Sequence, residues 1–227
     1  MSDVPLRRDP SLYRILGFDR LVQLFESKQL YFSHPSTWED PCEKLIEHRL
    51  SPNIFAQCWC RNGVSDAMWR IYSPNQLGVR IRTTKQKLRN QLNSVTATNG
   101  IRFRIQAVKY KPESVVDHEI QAIADELAQS FRLSVAFDSL FMKRRAFKHE
   151  AEVRVAIYKK DIGLDEIPLG IGIAIDPFEL IESVLIDPRA PQAYVRAYKH
   201  FLKEKLGFPG RVGQSGLYAG REPLEVY

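Results

Sequence analysis

The residues best suited to chemistry lie in the segment Lys143–Val155. If a strand begins at Glu150, side chains alternate between its faces, so Glu150, Glu152 and Arg154 share one face. Two carboxylates beside a guanidinium suit a site that stabilises developing positive charge and positions a nucleophile. The same alternation is also typical of a solvated strand face that carries an ion pair, which is the more ordinary interpretation of the pattern alone.

A second candidate is the aromatic run around Met68, Trp69 and Tyr72. Aromatic side chains at this helical spacing can stack on a nucleobase or a nicotinamide ring, and the basic strand that follows could hold phosphates. The ordinary alternative is that all three side chains belong to the hydrophobic core.

Two further segments each allow two interpretations. The acidic loop 38–43 either lines a cleft or caps a helix, and Asp40 favours capping because it precedes Pro41. The thiols of Cys58 and Cys60 are either reactive or, in an apolar strand-like run, buried and inert.

The positive charge of the chain is concentrated in one stretch. The 33 Lys and Arg against 27 Asp and Glu give a net +6, but residues 67–112 contain no acid. The ten cations of this basic sector exceed the net charge of the whole chain, so the remainder is mildly acidic. They are Arg70, Arg80, Arg82, Lys85, Lys87, Arg89, Arg102, Arg104, Lys109 and Lys111. Such a sector suits nucleic-acid backbone or a dinucleotide pyrophosphate, or it serves solubility by protecting strand edges.

The periodicity of apolar residues predicts a single α+β domain over residues 1–227, with a mixed, largely antiparallel sheet, flanking helices and a flexible lead over residues 1–11. Strands are predicted at 12–16, 30–33, 54–60, 77–82, 150–158, 170–175 and 184–186, with another carrying Arg102, Arg104, Lys109 and Tyr110. Helices are predicted at 18–28, 42–49, 65–72, 84–92, 113–135 and 192–206, with a loop at 93–100.

Composition argues against several classes of protein. An odd number of cysteines, three, makes a disulfide framework unlikely to form, and the five histidines are scattered singly, so no structural metal is expected. The sequence has no apolar run of membrane-spanning length and no signal core at residues 1–10, so we expect a protein of the reducing cytoplasm without membrane association.

Several segments, in order and spacing, resemble the bacterial family called domain of unknown function 2971. They are Leu12-Tyr-Arg14, the run from Leu30 to Glu43, Met68-Trp-Arg-Ile-Tyr72 with residues 77–81, Lys143 with Phe147-Lys-His-Glu-Ala-Glu-Val-Arg154, residues 181–186 and residues 212–218. The chain departs from the family's usual pattern at Cys42 and Phe147, which indicates a divergent member. The family name assigns no reaction.

A weaker resemblance is to the three-part signature of ADP-ribosyltransferases: Arg14, the short strand around Cys58 and Cys60, and the late pair Glu150 and Glu152. It implies that NAD is the substrate and that a nucleic acid or protein is the acceptor, as in a defence or toxin-type effector. Glu152 and Glu150 would then be catalytic, with Glu152 stabilising the ribosyl cation and Glu150 orienting the nucleophile. The residues implied in NAD binding are Arg14, Trp69, Tyr72 and Arg154.

Two other functions remain open at this point. One is a non-catalytic module that binds nucleic acid or phosphate through the basic sector, and the other is a catalytically silent interaction domain. The enzyme hypothesis requires Arg14, Tyr72 and Glu152, which are far apart in sequence, to converge in one pocket.

Overall fold

The computed structural model describes residues 9–160, 162 and 167–220. Within them the strands are β1 (Ser11–Gly17), β2 (Gln29–Ser33), β3 (Ile54–Cys60), β4 (Gly78–Thr84), β5 (Ile101–Ala107), β6 (Lys109–Lys111), β7 (Met142–Arg144), β8 (Glu152–Lys159), β9 (Gly170–Ala174), β10 (Ser183–Ile186) and β11 (Arg211–Gln214). The helices are α1 (Phe18–Ser27), α2 (Asp66–Tyr72), α3 (Lys85–Asn99), α4 (Glu113–Gln129), α5 (Leu133–Asp138), α6 (Pro177–Leu180) and α7 (Gln192–His200), and α7 continues into a π-helical turn, Phe201–Lys205. Residues 1–8 of the expected lead lie outside the described residues, and Ser11 already begins β1.

The sheet is mixed and mostly antiparallel, as the sequence predicts. Its described strands run in the order β11-β10-β4-β1-β3-β2-β9, with β8 beside β3 and β5 beside β8. In this sheet β10 and β11 are parallel, and the other pairs are antiparallel. The strands β6 and β7 form a separate parallel pair. With helices packed on it, the sheet makes a single α+β domain.

The predicted strand that carries Arg102 and Tyr110 is wrong as one element. It divides at Val108, whose N–H donates to the carbonyl of Glu152 at 3.0 Å. As a result β5 pairs with β8 in the large sheet, whereas β6 pairs with β7. The alternation of apolar and polar residues could not show this division, because the two halves of one extended segment pair with two different strands.

Three helix predictions also need correction. Most of the predicted loop 93–100 is the second half of α3, because Val95 packs against the same buried cluster as Leu88 and Leu92 and this packing overrides the weak propensity of the polar residues. The predicted helix 113–135 is two helices, with an extended residue at Ser130. The predicted helix 42–49 is only a 3₁₀ turn, Pro41–Glu43. Beyond it, side-chain bonds between His48, Ser51 and the backbone satisfy groups that a helix would have paired.

The core lies on both faces of β3 and β8. On one face, residues such as Trp59 and Val155 join a large cluster with the buried sides of α1, α3 and α7. On the other face, Ile54 and Ala156 pack against α5 and the end of α4. Burial on both faces makes these strands the rigid centre of the fold, and β8 carries its first residue, Glu152, to the edge of that core.

The sheet separates beside β3. The strands β1 and β3 pair at Tyr13 and Cys60, and β2 and β3 pair at Ser33 and Ala56, with no other register pair between these strands in the described residues. The strands diverge from these points, so backbone groups and side chains that would otherwise be covered by a neighbouring strand face a cleft.

The basic sector does not form a strip of free cations, because five of its ten cations pair with acids, four of them with acids on other elements of the fold. Arg82 and Lys87 pair with Glu182, Arg104 with Asp138, Lys111 with Glu119, and Arg70 with Asp66. The absence of acids within residues 67–112 therefore does not leave these cations unpaired, and a module that binds nucleic acid through this sector alone is not favoured. Separately, none of the helices in the described ranges is long and apolar enough to cross a membrane.

Candidate active site

A cleft of about 640 Å³ opens where β1 separates from β3. Its walls come from β1, β3, the start of β8, the end of α2, the loop 38–43 and the turn Arg145–Glu150. The lining side chains include Arg14, Trp38, Glu43, Cys58, Tyr72, Arg80, Lys143, Phe147, Glu150, Glu152 and Arg154. A cavity of this size can enclose a dinucleotide-sized ligand.

Arg14 and Tyr72 lie on the β1 side of this cleft. Arg14 donates from Nη1 to the carbonyl of Cys58 at 2.9 Å, across the gap that strand pairing leaves open. Burial lowers the pKa of Arg14, but its guanidinium remains the charged form. Tyr72 ends α2 with 45% of its surface exposed, and burial of its hydroxyl together with the negative charge of Glu150 raises its pKa, so the phenol is neutral.

Glu152 is held by Arg154 on the opposite side. Arg154 donates from Nε to Oε1 of Glu152 at 2.5 Å and from Nη2 to Oε2 at 3.0 Å. Its remaining contacts are the Leu140 carbonyl, at 2.7 Å from Nη1, the Glu43 carboxylate and the ring of Trp38, 4.5 Å away. Burial opposes ionisation of Glu152, but Arg154 outweighs it and lowers the pKa of that carboxyl. Most donors of Arg154 are thus committed to the protein, so it positions Glu152.

Glu150 lines the cleft although it lies before the strand that carries Glu152. It ends the 3₁₀ turn, Ala151 then takes a left-handed conformation (φ 44°), and β8 begins only at Glu152. The predicted start of the strand at Glu150 is therefore wrong. The interpretation as a solvated face is also wrong, because Glu150, Glu152 and Arg154 are only 8%, 4% and 1% exposed. The reversal at Ala151 lets both carboxylates line one cleft.

The acidic loop 38–43 both caps a turn and lines the cleft. Asp40 accepts from the N–H of Cys42 at 3.1 Å, so the predicted capping role is confirmed. The same carboxylate oxygen accepts from Arg144 at 3.0 Å. Glu43 bonds to Arg154, and burial raises its pKa despite that cation. Sequence analysis missed Glu43 and Lys143 as site residues, although the undecided role of this loop was a signal for Glu43.

The two thiols differ in position. Cys58 lines the cleft and bonds to Glu152, and burial together with that carboxylate raises its pKa, so the thiol stays protonated. Cys60 is 7% exposed, and its thiol donates to the carbonyl of Asn62 at 3.4 Å. A raised pKa opposes thiolate chemistry, so these environments favour the inert interpretation over the reactive one.

Trp69 does not join the other candidate residues. It is 1% exposed and belongs to the buried part of α2, with Arg80 stacked near its ring at 5.9 Å, and it is not among the residues that line the cleft. Arg80 itself does line the cleft, over the ring of Tyr13 at 4.9 Å, and it forms no ion pair with any described residue. Of the six candidates, the structure brings together Arg14, Tyr72, Glu150, Glu152 and Arg154.

In the described ranges, no group of three or more His, Cys, Asp and Glu side chains is arranged to hold a metal ion. The acids that meet at the cleft, Glu43, Glu150 and Glu152, are separated by the cationic groups of Lys143 and Arg154. Each of the three carboxylates thus lies beside the ammonium of Lys143 or the guanidinium of Arg154.

Comparison with known proteins bears out the family resemblance over part of the chain. Residues 68–155 match the model of the family described as protein of unknown function (DUF2971). None of the curated proteins compared with the chain matches it. The matched segment covers α2 through the start and middle of β8, so it includes Tyr72, Glu150, Glu152 and Arg154.

Solved structures of DarT from Thermus sp. 2.9 also resemble the chain. The complex with carba-NAD+ is 14% identical over 92% of this chain and 97% of that one, with a TM-score of 0.44. The complex with NAD+ is 13% identical over 92% and 96%, and the complex with ADP-ribosylated ssDNA is 12% identical over 91% and 94%, both with the same TM-score. Likeness of this degree assigns no residue roles to the chain.

Proposed function

We propose that this protein transfers ADP-ribose from NAD to a nucleophilic acceptor in the cleft beside β3. One observation carries the proposal: Arg14, Tyr72 and Glu152 lie in three separate segments of the sequence and line the same cleft. A fixed cation, an exposed aromatic ring and a buried, ionised carboxylate are the groups needed to hold a pyrophosphate, a nicotinamide ring and a ribosyl cation.

In the proposed reaction, the bond between C1′ of the ribose and the nicotinamide nitrogen breaks, and its electron pair leaves with neutral nicotinamide. C1′ becomes cationic as this bond lengthens. The ionised carboxylate of Glu152, held by two bonds from Arg154, stabilises that charge. Because Arg154 fixes the carboxylate beforehand, little reorganisation is needed when the charge develops.

The acceptor completes the reaction by donating a lone pair to C1′, and it loses a proton in the process. Glu150 lines the same cleft as Glu152 and accepts that proton in our proposal, after which the proton passes to water. Arg14 and Arg80 bind the pyrophosphate, since Arg80 is a half-buried cation without an ion-pair partner among the described residues. Trp69 supports α2 from the core, and Arg154 acts as a positioning residue.

The acceptor that we favour is a nucleic acid strand. Three exposed cations lie in or beside the turn that ends at Glu150, and none of them forms an ion pair within the described residues; they are Arg61, Arg145 and Lys148. The N–H of Arg61 donates to the carbonyl of Ala151 at 3.0 Å, which places this residue beside the turn that carries Glu150. Phosphate groups of a strand would meet these cations as its nucleophile reaches the cleft.

The test of the proposed function is direct. Purified protein is incubated with NAD, and with single-stranded DNA, RNA or a protein mixture, while nicotinamide release and the mass of each acceptor are measured. We expect nicotinamide release and a mass gain on a nucleic acid. Transfer to protein alone would overturn the choice of acceptor, and absence of nicotinamide release with every acceptor, together with absence of NAD binding by calorimetry, would overturn the function itself.

Tyr72→Ala is expected to weaken NAD binding. Stacking of a planar ring on an aromatic side chain contributes roughly 1–2 kcal/mol, so the KM for NAD should rise about 5- to 30-fold. Tyr72→Phe, which keeps the ring, should stay near the wild-type value. The matched control is Tyr194→Ala, because Tyr194 has the same 45% exposure but lies on α7, away from the cleft. An unchanged KM in Tyr72→Ala would contradict a role for this ring in binding.

A further inference from the structure

Lys143 lies in the middle of the acidic groups of the cleft, although no resemblance assigned it a role. Its ammonium bonds to Oε2 of Glu150 at 2.7 Å and lies 3.8 Å from carboxylate oxygens of both Glu43 and Glu152. The side chain is only 9% exposed, and the ammonium lies 4.5 Å from the centre of the Phe147 ring. A buried lysine with three carboxylates around it is held as a cation at that place.

The position of Lys143 is set by the small parallel pair of strands. Lys143 is the middle residue of β7 and stands opposite Tyr110 of β6. Its neighbour Met142 packs with Val116 and Ile120 of α4, and its other neighbour Arg144 bonds to Asp40 in the acidic loop. The contacts of Met142 and Arg144 therefore fix the register of β7. In that register the ammonium of Lys143 lies within hydrogen-bond distance of Glu150.

Lys143 provides the positive charge that is bonded to Glu150. Arg154 bonds to Glu152 and Glu43, whereas Lys143 is the cation bonded to Glu150 in the described structure. Glu150 also interacts electrostatically with Tyr72, Tyr110 and Cys60. Burial raises the pKa of each of these three groups, so they are neutral. Lys143 thus balances a carboxylate that would otherwise lie buried beside two other acids.

We propose that Lys143 is a positioning residue that holds the Glu150 carboxylate in place and aims it at the acceptor. The inference rests on the proposed function, and it adds the residue that makes Glu150 able to take the acceptor's proton. In that step the acceptor's bond to hydrogen breaks, a bond from hydrogen to a Glu150 oxygen forms, and Lys143 keeps its own proton throughout. Burial alone would lower the pKa of Lys143, but the bond to Glu150 and the other acids outweigh it and raise that pKa, so it stays charged during turnover.

The first test compares Lys143→Met with Lys143→Arg. In Lys143→Met, transfer to the acceptor should fall about 10- to 100-fold in kcat, since a positioned general base contributes at least that much, while the KM for NAD stays within about 3-fold. Lys143→Arg, which keeps a cation at this place, should restore most of kcat. Lys199→Met, an exposed lysine on α7, is the control.

A purely structural role would change the KM for NAD together with kcat, or would leave Lys143→Arg as impaired as Lys143→Met, and either result would overturn the proposal. Folding offers a readout that does not depend on activity. Lys143→Met leaves Glu150 buried without a partner, so its urea midpoint should drop, and the double variant Lys143→Met/Glu150→Gln should recover to the midpoint of Glu150→Gln alone. No recovery in the double variant would show that Lys143 acts by packing, even if the protein proved inactive toward NAD.

Discussion

Glu152→Gln is expected to lower kcat for nicotinamide release by about 100-fold or more. Loss of a preorganised group that stabilises transition-state charge costs roughly 3 kcal/mol, and an amide in place of the carboxylate provides no negative charge opposite the ribosyl cation. NAD binding should change much less, because Arg14, Arg80 and Tyr72 remain in place. Steady-state release of nicotinamide over a range of NAD concentrations separates the two effects.

The control for this variant is Glu26→Gln, an exposed acid of α1 outside the cleft. Thermal unfolding of both variants shows whether the loss of rate is a loss of folded protein.

Arg154 lowers the pKa of Glu152 against the effect of burial. Protonation of Glu152 should therefore not limit wild-type activity until the pH falls below the ordinary pKa of a glutamate, about 4.3. A kcat within 3-fold of wild type in Glu152→Gln would rule out the proposed role.

Arg154→Met is expected to lower the free energy of unfolding by about 3–5 kcal/mol at pH 7, which is the usual cost of removing one partner from a buried ion pair. The 1% exposed guanidinium serves Glu152, Glu43 and the Leu140 carbonyl together, so its removal leaves two buried carboxylates and one buried carbonyl without that donor. Urea unfolding measures the loss.

The pH dependence of this loss has a definite sign. Arg154 lowers the pKa of Glu152 in the folded protein, so the stability that it contributes through this carboxylate is present above the unfolded pKa and is lost as pH falls through the folded one. The difference between wild type and Arg154→Met should therefore shrink in acid. Arg196→Met, an exposed arginine of α7, should cost less than about 0.5 kcal/mol. A loss of that small size in Arg154→Met would mean that the buried network is not coupled to folding.

Much of the fold could be predicted from periodicity. The strands β1, β2, β3 and β10 and the helices α1 and α2 were predicted within two residues at each end, because each has a clear period of two or 3.6 and a local signal where it ends. The N-cap of α2 at Ser65 and the stop before Pro74 are such signals. Prediction failed at α3 and between β5 and β6, where burial of Leu88 and Leu92 and a change of strand partner at Val108 decided the outcome.

The candidate site was predicted in part. The resemblance to the ADP-ribosyltransferase signature implied that Arg14, Tyr72 and Glu152 meet in one cleft, and these side chains and Glu150 line one. Glu43 and Lys143 could not be chosen from their neighbours in sequence, because their importance comes from partners more than 100 residues away in one case and across a chain reversal in the other. For the same reason Trp69, at helical spacing from Tyr72, could not be told from a cleft residue.

The sequence by itself determined most of the strands and helices that have a clear periodicity or end signal, and it determined which residue types are available for chemistry, since backbone periodicity and capping act over a few residues. Only the tertiary structure decided how the charges are used. Four of the ten cations of the basic sector pair with acids on other elements of the fold, and the acids of the cleft are balanced by Arg154 and Lys143. Coulombic pairing depends on distance in space and on burial, and neither is written in the local pattern of residues.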